Sequence, residues 1–436
     1  MRAQLPMLMR NFRKIKDPRN AKTIKHKKTV LFLYGILSFV LQCGSRREAN
    51  REMSTPQFLE NIRILFPEFE SLPHNDTLKR FLERINPSEI EAAHIAMVQK
   101  FIRNKKFKKY LINNCYPIAI DGTQKMTSNE LWDGSLQQRF IKKGESHVLQ
   151  YYVYVLEANL VFHNGMTIPL VSEFLDYKEG DTDTQKQDCE TKAFMRLTEK
   201  LKKYFPKLRI FLLLDGLYAN GPIVEQAKKL KMQFMIVFKD GCLPSVWEDA
   251  NGLIKLSPNN HHQQSWGDRE QNFWWVNEIN YHYGKNEKNK LTLHVVVCEE
   301  TWKEIDDSGQ RVTKKSKHAW ISSRPLKKEN LHERCNLAAR HRWGIESSIL
   351  KEKKQGYQYE HCFSKNWNAM IGYHYLMRLA HFLNELVHFS KTLIKTVLEK
   401  TVRGFIRFIF ESCKAPWLNL ETIVEDLRLP YRYQLA

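Results

Sequence analysis

What this chain has little of narrows the reading first. Its eight cysteines, Cys43, Cys115, Cys189, Cys242, Cys298, Cys335, Cys362 and Cys413, are scattered singly and form no Cys-x2-Cys pair. That spacing excludes a disulfide framework and a structural zinc ribbon, and makes a reducing cytoplasm the expected compartment. Long apolar runs are missing too. The longest, residues 29–43, has fifteen residues, whereas a spanning helix needs roughly 20. A basic segment precedes it, as in a signal peptide, but the run starts late and lacks a small-residue cleavage site. A buried helix is expected there, and no membrane partner. Acidic residues are also scarce: 48 Asp and Glu face 69 Lys and Arg, a formal charge of +21. A deficit of that size favours a polyanionic partner, nucleic acid first, because each neutralised phosphate releases a condensed counterion. No internal repeat or low-complexity tract is present, so a repeat architecture is excluded.

What is there suggests an α/β protein of two or three domains in 436 residues. Residues 1–28 carry ten Lys and Arg against one acid, Asp17. Such an arm can follow a phosphate backbone or stay a solvated tail. Residues 29–110 read as helical, with apolar spacing over 29–43, Pro56 to Leu65 and Ser88 to Phe107. A further helix start lies at His74-Asn75-Asp76-Thr77, with Asn75 or Asp76 as its cap. From Tyr116 the pattern changes. Strands are expected at Pro117 to Thr123, Gln150 to Leu160 and Thr167 to Leu175, then a helix at Gln187 to Tyr204. A strand at Leu208 to Leu214, a helix at Pro222 to Leu230 and a strand at Gln233 to Phe238 follow. The order β-β-β-α-β-α-β is that of an RNase H-like core, although many α/β domains share parts of it. Residues 241–316 break the rhythm and read as a β-rich insertion with strands at Phe273 to Tyr281 and Lys290 to Cys298. An apolar strand returns at His318 to Ser322, and the chain is mostly helical from Leu326 onward.

Three acids stand out by position. Asp121 follows Ile118-Ala119-Ile120, and Asp215 follows Phe211-Leu212-Leu213-Leu214, each with a glycine after it. Adjacent strand ends would bring both carboxylates to one sheet edge, where open α/β sheets commonly bind ligands. Asp-Gly after a strand is also an ordinary turn signal. The third acid is Glu346, which shares one helix face with Arg342 and Lys353. That face is either an ion-pair ladder or a metal ligand flanked by two phosphate-holding cations. Lesser candidates are Lys239, after a strand, and Asn330, as cap of a helix beginning at Leu331. The acidic loop Glu179, Asp181 and Asp183 and the pair Asp188 and Glu190 have solvation or helix capping as the simpler account. His361 and Cys362 lack partners at zinc spacing.

Asp121-Gly122-Thr123, Leu214-Asp215-Gly216-Leu217-Tyr218 and Arg342-x3-Glu346-x6-Lys353 together resemble the motifs of DDE insertion-sequence transposases, in particular the group with a Tyr-x2-Arg-x3-Glu-x6-Lys signature. Asp17-Pro18-Arg19, Gln187-Asp188-Cys189-Glu190 and Gly356-Tyr357-Gln358-Tyr359-Glu360-His361 add to the likeness, which spans roughly residues 10–385. The signature's tyrosine position holds Ala339. The resemblance implies cut-and-paste transposition on an RNase H-like core: metal-dependent cleavage at the element's inverted-repeat ends, then strand transfer into target double-stranded DNA. It implies two Mg2+ or Mn2+ ions, with Asp121 bridging them and Asp215 and Glu346 each completing one. Arg342 and Lys353 would grip DNA. Related enzymes stack a flipped base on an aromatic residue, for which Trp266, Trp274 and Trp275 are the candidates in the insertion. The expected divisions are 1–110, a basic arm and helical DNA-binding domain; 111–240, the first part of the catalytic core; 241–316, the insertion; 317–385, the last part of the core; and 386–436, a helical C-terminal region. Leu393 to Phe410 in that last region carries apolar residues at helical spacing that could pair two copies on DNA or equally well pack within the chain, and a nucleoid-associated homodimer in a bacterial cytoplasm is expected. A metal-dependent nuclease on the same fold, or a domesticated DNA-binding protein that no longer cuts, would share most of these features.

Overall fold

The computed structural model describes residues 5–144, 146–175, 186–415 and 420–428. Six helices come first: α1 (Leu5–Lys14), α2 (Lys28–Val40), α3 (Arg46–Met53), α4 (Pro56–Leu65), α5 (Asn75–Leu82) and α6 (Ser88–Arg103). Helix α2 takes up most of the apolar run 29–43, and every residue from Val30 to Phe39 is buried. A helix apolar on all sides must be surrounded, and α2 packs against α1, α5 and the later helix α12 (Trp367–His388). Short polar side chains start several of these helices: Ser45 accepts from the Glu48 amide, and Thr55 from the Phe58 amide. At α5 the cap is His74, whose ring accepts from the Asp76 amide, not Asn75 or Asp76 as expected. The buried Asn75 side chain is engaged elsewhere, accepting from the Tyr373 hydroxyl at 2.6 Å.

The remainder is built on one ten-stranded mixed sheet. Its strands are β1 (Tyr116–Ser128), β2 (Gln137–Lys143), β3 (Ser146–Val161), β4 (Thr167–Phe174), β5 (Ile210–Leu214), β6 (Gln233–Val237), β7 (His261–Trp266), β8 (Arg269–Tyr283), β9 (Asn289–Ile305) and β10 (Arg311–Ser322). Helices α7 (Lys186–Tyr204), α8 (Gly221–Lys229) and α9 (Pro244–Leu256) lie between them, and α10 (Lys328–Leu331), α11 (Gly344–Lys354), α12, α13 (Ile394–Lys400), α14 (Val402–Lys414) and α15 (Leu420–Arg428) follow. Strand β3 runs antiparallel to both β1 and β4, whereas β1, β5 and β6 are mutually parallel. Beyond β6 the sheet continues through β10, β9, β8 and β7, all antiparallel. The segment expected as a β-rich insertion thus extends the same sheet.

Side-chain alternation divides β5 between two hydrophobic clusters. Ile210, Leu212 and Leu214 join the large one shared with α2, α7, α8 and α12, while Phe211 and Leu213 join a second with Ala119, Met235, Trp275, Trp320, Ile345 and Ile349. Burial on both faces explains the unbroken run Phe211 to Leu214, because parallel inner strands need no polar side. Helix α10 begins three residues before the expected Leu331. Lys327 occupies its N-cap, and Asn330 sits inside the first turn, accepting from the Lys327 amide. Among the described residues no helix is long and apolar enough to cross a membrane.

Candidate active site

The parallel register of β1 and β5 pairs Tyr116 with Ile210 and ends at Ala119 with Leu213. Two residues further on, by count, come Asp121 and Asp215. Side chains alternate along a strand, so Asp121 shares the face of Ala119, and Asp215 that of Phe211 and Leu213. That face belongs to the second cluster, which also receives Ile345 and Ile349 of α11. Glu346 lies between those two anchors. The sheet alternation and the apolar side of α11 therefore bring the three acids to one face.

Asp215 follows the last residue of β5 as expected, but β1 runs on to Ser128, so Asp121 sits inside its strand and not where it emerges. The glycines after both acids have crowded neighbours, Gly122 the more so. A Cβ on Gly122 would stand 2.6 Å from a Glu190 carboxylate oxygen and 2.7 Å from the Tyr154 hydroxyl, and one on Gly216 would stand 3.0 Å from the Lys239 side chain. Glu190 is buried on α7, so a carboxylate presses on β1 at Gly122 from the side opposite Asp121. The Tyr218 hydroxyl is buried nearby and has no hydrogen-bond partner among the described residues.

Charge decides how these acids behave. Burial, reinforced by the negative charge of Glu346 and more weakly of Asp215, pushes the Asp121 carboxyl up to about 6, against the pull of Arg342 and the Gly122 amide. Burial also raises Asp215, but the Gly216 amide, Lys239 and Arg342 outweigh it and hold that carboxyl below its ordinary range. Two ion pairs divide the group. Lys239 Nζ lies 3.1 Å from Asp215 Oδ2, and Arg342 Nη1 lies 2.8 Å from Glu346 Oε1. No three His, Cys, Asp or Glu side chains among the described residues converge as a ready-made metal cluster. The donor set is nonetheless the kind a hard divalent cation takes, and Asp121, raised chiefly by burial and next by Glu346, is the carboxylate such a cation would relieve most.

Helix α11 begins at Gly344, so Arg342 belongs to the short turn before it, yet its pairing with Glu346 keeps the i,i+4 relation. Lys353 turns to Glu360, 2.9 Å away. A cleft of about 380 Å³ opens beside Asp215, lined among others by Lys239, Trp247, Lys317, Arg340 and Trp343. Trp343 is 63% exposed, with the Arg342 guanidinium 4.7 Å from its ring. Lys239, a candidate from its place after a strand, thus lines this cleft and pairs with Asp215, whereas Trp247, Lys317 and Trp343 are too far apart along the chain for sequence spacing to join them.

The three tryptophans of the insertion separate. Trp266 is half-buried, with the Arg340 guanidinium 5.0 Å from its ring. Trp274 is half-buried beside His261. Trp275 is buried in the second cluster with Phe273 and Trp320, so it leaves no ring face for a base and drops out as a stacking residue. The acidic loop of Glu179, Asp181 and Asp183 and the side chain of Asp188 lie outside the described residues. Among the described cysteines none is bonded to another, and Asp17 and Arg19 form an ion pair at 2.7 Å.

No curated protein matches the chain. Residues 9–98, the helices α1 to α6 in large part, match the family model described as DDE_Tnp_1-associated, and that match points to the DDE transposase family.

Proposed function

We propose that the chain is a DNA transposase of the Tyr-Arg-Glu-Lys group, cutting at transposon ends and joining the freed 3′ ends to target DNA by the cut-and-paste route. One observation carries the reading: Asp121, inside β1, and Asp215, just past β5, come from neighbouring parallel strands onto the sheet face that α11 covers, with Glu346 close enough to raise Asp121. The strand order β4-β3-β1-β5-β6, with its first pairings antiparallel and its last parallel, supports an RNase H-like core. The N-terminal match supports the family. In this reading residues 1–110 bind DNA, 111–240 and 317–385 form the catalytic core, 241–316 are its insertion, and 386–436 help pair two copies so that both ends are held together.

Asp121, Asp215 and Glu346 would hold two Mg2+ or Mn2+ ions, which supply an activated water and a stabilised leaving oxygen for phosphodiester cleavage. The remaining work falls to the chain's own groups. Arg342 offers a planar fork for a phosphate once it leaves Glu346, and Lys353 a point charge about two turns beyond Glu346. Trp266, whose ring lies against Arg340 of the cleft wall, is the stacking residue best placed beside the site, where base stacking contributes about 1–3 kcal/mol per base; Trp274 alternates to the sheet face opposite Trp275. A second reading, a DNA-binding protein that retains the fold without cutting, is favoured by the two ion pairs that already neutralise Asp215 and Glu346.

The test is cleavage of DNA carrying the element's flanking inverted repeats, in Mg2+ or Mn2+, comparing the native chain with Asp215→Ala and Glu346→Ala. Site-specific cutting lost in both variants supports the transposase. Cutting indifferent to the repeats indicates a general nuclease, and tight binding without cutting, unchanged in either variant, leaves the second reading.

A further inference from the structure

Beneath the acidic site lies a second polar system that the proposed chemistry does not use. Strand β3 pairs with β1 so that Glu157 stands directly opposite Asp121. Glu157 is buried, and so are Glu352 on α11 and Arg378 on α12. The Arg378 guanidinium reaches both. One nitrogen lies 3.1 Å and 3.3 Å from the two oxygens of Glu352. The other lies 3.1 Å from Glu157 Oε2 and donates to Asn159 Oδ1 at 2.6 Å. Asn159 donates in turn to the Ser348 hydroxyl of α11 at 3.1 Å. Ser348 and Glu352 are one helical turn apart, so α11 is tied to β3 at two points on one side. His381 adds a contact to Glu352 at 2.6 Å, and the far side of Glu157 is held by the Tyr359 hydroxyl at 2.8 Å and the Ser172 hydroxyl at 2.6 Å.

Buried ion pairs of this kind add little net stability, since desolvation offsets their attraction, but they fix geometry where apolar contacts would slide. An apolar face lets a helix shift or rotate by fractions of a turn at small cost, whereas a two-pronged guanidinium permits one setting. The helix so fixed carries Glu346, and the strand so fixed is the cross-strand partner of the one that carries Asp121. We infer that Arg378, with Glu352 and Glu157, is a positioning device that sets the rotation of α11 so that Glu346 meets Asp121. The inference rests on the reading of Asp121, Asp215 and Glu346 as ligands of a divalent cation.

The test measures Mn2+ binding to the full chain, from the loss of the free-ion paramagnetic resonance signal, alongside thermal melts. Glu352→Gln is compared with Asn61→Ala, which removes a buried side chain that donates to the Cys413 and Ala415 carbonyls at 3.0 Å and 2.6 Å and shares no partner with the Arg378 system. Outer-shell groups commonly govern metal affinity by about 10–100-fold. Glu352→Gln is therefore expected to weaken Mn2+ binding about tenfold or more, while Asn61→Ala lowers the melting temperature and leaves Mn2+ binding unchanged. The charge-neutral pair Glu157→Gln with Arg378→Gln guards against misfolding, because Glu352 keeps His381. It should melt closer to the native chain than Arg378→Gln alone, which strips two buried carboxylates of their cation, yet stay weak for Mn2+. Native-like Mn2+ affinity in Glu352→Gln or in that double variant, or a loss that merely tracks melting temperature across all variants including Asn61→Ala, overturns the inference. A native chain that binds no Mn2+ overturns the metal-site reading itself, a result distinct from equal binding by every variant.

Discussion

The most direct consequence of the crowded acids is that removing one should stabilise the empty protein. Asp121 is held at about 6 by burial and by the charge of Glu346, against an ordinary 3.8. Its folded state thus disfavours the ionised form, at about 1.4 kcal/mol per unit and up to about 3 kcal/mol in all. The sign follows from proton counting. Between pH 3.8 and about 6 the folded chain binds a proton that the unfolded chain has released, so this group erodes stability as pH rises through that window and costs its full amount above it. Asp121→Asn, a neutral isostere, removes the cost. It should raise the melting temperature of metal-free protein at pH 7.5 by up to about 6–12 °C, taking about 2–4 °C per kcal/mol for a cooperative unit of 150–250 residues. The gain should shrink to nothing at pH 4 and below. Saturating Mn2+ reverses the ranking: a ligand at 100 times its Kd adds about 2.7 kcal/mol, expected for the native chain and absent in Asp121→Asn. Differential scanning calorimetry in chelator and in Mn2+, at pH 4 and pH 7.5, reads all four values. A variant that melts at or below the native chain at pH 7.5 without metal refutes the electrostatic reasoning.

Other expectations follow from individual side chains. Both ring nitrogens of buried His94 lack a partner among the described residues, and burial presses its pKa down to about 3. Below pH 6.5 the unfolded chain takes up a proton that the folded chain refuses, so stability falls as pH drops toward 3. His94→Leu should flatten that acid limb by about 2 kcal/mol between pH 7 and pH 5 in urea melts. Trp275→Ala should cost about 3–5 kcal/mol of folding stability as a large buried ring, whereas Trp266→Ala should leave the melt nearly unchanged and weaken DNA binding in gel shifts. DNA affinity itself should fall by about 10³-fold or more between 50 and 200 mM salt if six or more phosphates are contacted. A flat salt dependence in fluorescence anisotropy would remove the polyanion reading of the +21 charge.

How much of this was legible in the sequence depended on how locally each feature is encoded. Phe211 to Leu214 announces an inner strand by itself, because two buried faces leave no polar position, and the Asp-Gly pair behind it marks where the strand emerges. Arg342 and Glu346 pair at helical spacing, so their contact could be read directly, although the helix starts two residues later than Arg342. Strands β2 and β7 were not legible. Both are polar; β7 is the last strand at one end of the sheet, and its alternation of exposed and half-buried residues leaves no apolar period to detect. The His74 cap was missed for a tertiary reason: Asn75, the better capping residue, is drawn off by Tyr373 almost three hundred residues away. Least legible was the system of Glu157, Glu352 and Arg378. Each residue alone looks like a charge on an amphipathic element, and only the packing of α11 and α12 against β3 shows that all three are buried together.

The two polar systems on either side of α11 work in opposite senses, and that opposition accounts for how the site can exist at all. On the outer side, like charges are held near one another at a cost, relieved in part by Arg342 and Lys239 and, in the proposed function, more fully by divalent cations. An unsupported helix would relax that strain by turning Glu346 out to solvent, since the residue is already 36% exposed in its pair with Arg342. On the inner side, Arg378 faces Glu157 and Glu352, with His381 on Glu352, so opposite charges meet and turning the helix would separate them in a dry interior. Breaking such a pair costs about 3–5 kcal/mol, more than the repulsion between the acids, which is only the part beyond burial of the up to about 3 kcal/mol that ionising Asp121 costs. The balance therefore favours keeping Glu346 where it is. Stability lost at a functional site is commonly offset elsewhere in the fold; here the offsetting contacts lie on the same helix, one and a half turns from the acid they support.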